Sequence, residues 1–150
     1  MEYTNKENFQ NNVEINKSGD EMNEINKFIE SLDFESAKHL LQKRLSAEPN
    51  NVEVIDLMSE VLMNLDETEQ AITLIKKSIS LEPNKNAEKY MTLGQLSDYK
   101  LALKYYEKGI SIFLNELNNE TDNQKLINIK NSLASAYSAV AELYMNSDLW

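Results

Sequence analysis

Leu45-Ser46-Ala47-Glu48-Pro49-Asn50 returns 34 residues later as Ile79-Ser80-Leu81-Glu82-Pro83-Asn84. The same offset relates Ala37 to Ala71 and Leu41 to Ile75, and both prolines of the chain fall on it. A fixed internal period of this size marks an array of supersecondary units. Proline cannot continue a helix and disfavours helical geometry in the residue before it, so Pro49 and Pro83 each close a unit. Ala37 and Ala71, small and in phase, are expected where two helices of a unit cross, because a methyl side chain lets the backbones approach. Asp33 and Asp66 fall in the turns within the units, where each can cap the helix that follows.

Composition agrees. Of the 150 residues 41% are apolar, enough for a core, while 3 Gly and 2 Pro are too few for the many turns of a sandwich or barrel. There is no cysteine, which excludes disulfides and thiolate metal sites. The first ten residues are polar and hold no signal peptide, and no run of about 20 apolar residues offers a membrane span. Sequons at Asn16 and Asn119 are read as chance matches, and the expected location is cytoplasmic or nuclear.

The third unit is expected to start at Lys85 with a first helix trimmed by about a turn. Tyr99, Ala102, Tyr106 and Gly109 then form its second helix, Ala102 coming 31 residues after Ala71. Asn115–Asn123 reads as a loop, and a helical pattern resumes from Lys125 to Met145. Within it Val140, Ala141 and Tyr144, followed by Trp150, reproduce the apolar, small and aromatic positions of a further unit that stops before its second helix. Leu133, Val140, Tyr144 and Trp150 are therefore expected to lack a covering partner. That predicts a fragment of a longer protein, able to self-associate through this half repeat. Residues 1–18, polar and Asn-rich, are expected to form a disordered tail.

Period, alanines and prolines together resemble the tetratricopeptide repeat (TPR) family, whose unit is a helix hairpin of this length. The resemblance implies an all-α, TPR-type α-solenoid of antiparallel helix pairs. Its repeats would span about 19–51, 52–84 and 85–115, with a half repeat at 122–150, the first helix of each lining a concave groove that binds a polypeptide. Carried over in the 34-residue frame, the groove positions are Met22, Asn26, Ile29 and Glu30 in the first unit, with Asn50 and Asn51 at the junction. The second unit supplies Glu53, Asp56, Glu60, Met63 and Asn64; the third Glu88, Met91 and Gln95; the fourth Ser138, Glu142, Met145 and Asn146. TPR co-chaperones that hold acidic chaperone tails use a clamp of Lys, Asn and Arg. Here Asn26 fits one clamp position, but Met22 replaces a Lys and Leu57 an Asn, so no such clamp is formed.

Catalytic patterns are missing. His39, the one histidine, sits among leucines without an acid partner, and no phosphate loop, nucleophile elbow or zinc-protease motif occurs. Neither an enzyme activity, a cofactor nor a metal is expected. The formal net charge of −10 repels nucleic acid and anionic membrane and steers cationic partners inward. An acidic lining with Met and Asn suits a basic, extended or helical peptide.

Two stretches resemble one branch of the TPR family more closely: Glu88-Lys89-Tyr90-Met91-Thr92-Leu93-Gly94-Gln95-Leu96-Ser97, continuing to Tyr105-Tyr106-Glu107-Lys108-Gly109-Ile110, and Ala141-Glu142-Leu143-Tyr144-Met145-Asn146-Ser147-Asp148-Leu149-Trp150. They are similar to eukaryotic TPR assembly chaperones of a large-subunit ribosomal protein, although Asn146-Ser147-Asp148 is one residue longer than that pattern. The resemblance implies escort of a basic ribosomal protein. A peptide-binding scaffold and a regulatory module of a larger enzyme are the alternatives.

Overall fold

The computed structural model describes residues 19–146, and seven helices and no strand occur among them. They are α1 (19–30), α2 (Phe34–Ala47), α3 (Val52–Asn64), α4 (Thr68–Leu81), α5 (Glu88–Gln95), α6 (Tyr99–Asn119) and α7 (Asn123–Asn146). The expected tail at residues 1–18 and Trp150 lie outside the described residues.

Short polar side chains start these helices. Asp33 accepts a hydrogen bond from the Ser36 amide at 3.2 Å, Asn51 from Val54 at 3.3 Å, Asp98 from Leu101 at 3.1 Å and Asp122 from Lys125 at 2.9 Å. Each satisfies a first-turn amide that has no partner inside its helix. The ends of α1 and α3 repeat one another bond for bond. The Asp33 amide reaches the Phe28 carbonyl at 2.8 Å and the Glu67 amide the Leu62 carbonyl at 2.9 Å, one 34-residue period apart. Such a closure needs a left-handed residue just before the donor, and Leu32 (φ 61°) and Asp66 (φ 60°) supply it.

Asp66 is thus in register with Leu32 and does not take the capping role expected of it. It closes α3 instead of capping α4, and Glu67 takes the position before α4 while pairing with Lys38. Leucine is strained at positive φ, and Leu32 packs on little, being 73% exposed. Leu32→Gly is expected to stabilise the fold by about 0.5–1 kcal/mol, read as a raised denaturation midpoint at unchanged slope.

Two compact units divide within α4, after Leu74. The core of the first gathers Ile25, Ala37, Leu41, Val54, Met58, Val61, Leu62 and Ala71. The second is built on Ala87, Tyr90, Met91, Ala102, Tyr106, Ile112, Phe113, Leu133 and Ala136, with α6 packed on both α5 and α7. The in-phase alanines Ala37 and Ala71 are buried, and so is Ala102 of the trimmed repeat.

In the second compact unit the trimmed first helix expected of the third repeat is present as the 8 residues of α5. It begins at Glu88, three residues after Lys85, past Asn86 at φ 55°. The preceding segment is held by its contacts: the Tyr90 hydroxyl donates to the Pro83 carbonyl at 2.7 Å, and Lys108 Nζ to Asn84 Oδ1 at 2.7 Å. The loop expected at Asn115–Asn123 is mostly helix, since α6 continues to Asn119. Only Glu120–Asp122 separates it from α7. There the Glu120 carboxylate accepts the amides of Asp122 and Thr121, which hold its pKa below the ordinary range.

Finally, Leu133 is buried and Val140 packs on the same core, so neither is left uncovered. Ala136 is the buried small residue of α7, and Ala141 faces solvent.

Candidate protein-binding site

The acidic positions of α3 fall one and two turns apart, a spacing that sets Glu53, Asp56 and Glu60 along one face. Glu53 and Glu60 are exposed, Asp56 is half-buried and Asn64 is exposed one turn beyond Glu60. The Asn64 side chain donates back to the Glu60 carbonyl at 2.9 Å. Neither the Glu53 nor the Glu60 carboxylate meets a lysine, arginine or hydrogen-bond donor among the described residues. Other carboxylates of the same unit are engaged: Glu67 with Lys38, Glu21 with Lys43 and Glu48 with Arg44.

On α1, Asn26 and Glu30 are exposed, while Met22 and Ile29 lean on the core, as Met63 and Leu57 do on α3. Asn50 is exposed. The side chain of Asn51 is committed to capping α3 and to Glu48, so it offers less to a partner than expected.

In the second unit Glu88 and Gln95 are exposed, but Met91 is not. Expected in the groove, Met91 is buried, and its methyl group fills the space that a side chain at Gly109 would need. A step of one residue turns a side chain by about 100° about the helix axis, and Met91 falls on the side of α5 that packs against α6.

Two residues missed by the sequence reading join Glu88 here. Ser132 of α7 donates to Glu88 Oε1 at 2.9 Å, tying α5 to α7. Glu116 of α6 has its carboxyl pKa raised by burial and by the negative charge of Glu88. It lies in Asn115–Asn123, a segment whose composition reads as loop. Ser132 lies six residues before Ser138 on α7 and carries no pattern of its own. Ser138, Glu142, Met145 and Asn146 are exposed. Burial raises the Tyr106 pKa, and Glu142 adds to the shift.

Among the described residues no group of three His, Cys, Asp or Glu could hold a metal ion, and no helix is long and apolar enough to cross a membrane.

Known proteins bear on this arrangement. No curated protein sequence matches the chain. Solved structures do: the TPR domain of Sgt2 from Aspergillus fumigatus is 21% identical, covering 88% of this chain and 84% of that one at a TM-score of 0.62. A crystal structure of MamA protein is 23% identical over 83% and 79% at 0.54, and another is 24% identical over 81% and 70% at 0.55. At such identity the likeness concerns the fold. The family model for the tetratricopeptide repeat matches residues 52–85 and 91–115. These two segments are similar to tetratricopeptide repeats, and the chain has the all-α fold of TPR domains.

Proposed function

We propose that this chain is a protein-binding module that escorts a basic polypeptide, a cationic ribosomal protein before its assembly being the partner best suited to it. TPR domains mediate protein–protein interactions, and this one has a formal charge of −10. The observation that carries the reading is the exposed pair Glu53 and Glu60 on one face of α3, with no cation against either among the described residues. Carboxylates without cationic neighbours attract lysine and arginine side chains from a distance and fix the register of a bound segment. Asn26 and Asn64 add amide groups that can bond to a partner's backbone. A neutral peptide seated on Met22, Ile29 and Met63 is less favoured, because these side chains already pack on the core.

The test uses purified large-subunit ribosomal proteins as probes, with binding measured by calorimetry at low and high salt. Affinity for the cognate protein is expected to fall clearly with salt as surface charges are screened. Glu53→Lys with Glu60→Lys is expected to weaken it by at least about tenfold, or about 1.4 kcal/mol, at low salt. Salt-independent binding, or unchanged affinity in the double variant, would overturn the reading.

A further inference from the structure

On α7 an exposed stripe recurs every seven residues: Ala134 and Ala141 on one row, Tyr137 and Tyr144 on the other. Ile127 and Met145 extend it, both exposed, and Tyr137 is 52% exposed. The adjoining side of the helix, through Leu133 and Ala136, is already sealed against α6. A seven-residue alternation of small and large side chains is the pattern by which two helices interlock. We infer that this face of α7 pairs antiparallel with the same face of a second copy of the chain.

Shape and charge both select that occupant. The pairs Ala134/Tyr144 and Tyr137/Ala141 share one midpoint, residue 139. A twofold axis there sets each tyrosine of one copy over an alanine of the other, a self-complementary contact. Tyr144 is already held edge-on by Tyr99, the ring centroids 6.3 Å apart, so it loses little freedom on docking. Residues 131–141 carry no charge in a chain with a formal charge of −10, so two equally acidic copies can meet here without opposing carboxylates. The charges of α7 are Lys125 and Lys130 toward its start and Glu142 toward its end. Antiparallel pairing therefore brings the basic half of one helix toward the acidic half of the other. A cationic partner, by contrast, finds nothing on this stripe to hold its charge.

The experiment is sedimentation equilibrium of the 150-residue chain from micromolar to millimolar concentration. The apparent mass is expected to rise to twice that of one chain. Tyr137→Glu should return it to a single chain without loss of helical circular dichroism or melting temperature. In a chain that otherwise has no cysteine, Ser138→Cys, beside the axis, should oxidise to a covalent dimer faster than Ser135→Cys, which is turned away from the stripe. A single-chain mass at every concentration would overturn the proposal, as would a dimer that survives Tyr137→Glu. The first result would leave the face to a different polypeptide; the second would place the contact elsewhere. Neither bears on the binding of basic proteins through α3.

Discussion

Replacing Ala71 by leucine is expected to lower the stability of the fold by about 1–3 kcal/mol, the usual cost of forcing extra methylenes into a filled core. Ala71 has no exposed surface and belongs to the cluster that holds Val54, Met58, Val61 and Leu62. A larger side chain there must push α4 away from that cluster or drive a neighbour off its rotamer. The measurement is thermal unfolding, with Thr73→Leu as the control. Thr73 lies on the exposed side of the same helix, and a surface substitution of that kind shifts stability by no more than about 0.5 kcal/mol. If Ala71→Leu melts with the parent chain, the alanine does not set the helix spacing.

The second large effect concerns two buried cations that occupy different places in the repeat. In the first unit Arg44 of α2 is 7% exposed, reaching Glu48 at 3.2 Å and Glu21 at 3.9 Å, and Ile55 of α3 is fully buried. One period on, Ser78 stands where Arg44 stood and Lys89 where Ile55 stood. Ser78 is fully buried and Lys89 only 4% exposed; its ammonium donates to Ser78 Oγ at 3.2 Å and to the Glu82 carbonyl at 2.8 Å. The long cationic side chain comes from the second helix of a unit in one case and from the following first helix in the other. Each is matched by a smaller or apolar residue at the related position.

Lys89→Ala is therefore expected to cost about 2–4 kcal/mol, since it opens a cavity and leaves the Ser78 hydroxyl and a helix-end carbonyl without their donor. Lys89→Ile alone loses the same bonds, and Ser78→Arg alone crowds a second cation beside the first. Together the two substitutions place at 78 and 89 the residues found one period earlier, Arg44 and Ile55. The double variant is expected to be more stable than the sum of the single effects by about 1–3 kcal/mol in a denaturant-based double-mutant cycle. Strict additivity would show that the two sites are not exchanging one function.

The glycines show how unevenly such contacts were readable. Gly109 was placed in the second helix of its unit by its spacing from Tyr106, and it is buried there. What it makes room for, the methyl group of Met91, became visible only with the helices packed. Gly94 likewise gives way to the Tyr106 ring, whose carbon lies 2.5 Å from where a β-carbon would be. No periodicity announces that contact, because the two residues belong to different helices.

Hairpins, their boundaries at Pro49 and Pro83, and the buried alanines were legible in the residues alone. They rest on local chemistry and on a 34-residue phase that needs no knowledge of neighbours. Packing settled the rest: that Asp66 turns left-handed, that Met91 points inward, that α6 runs to Asn119, and that Tyr137 rather than Leu133 faces solvent. Neighbouring side chains on a helix point about 100° apart, so a groove position assigned one residue off turns inward. An apolar pattern tells that one side of a helix is covered, but only the neighbouring helices fix which side, because burial depends on contacts far apart in the chain.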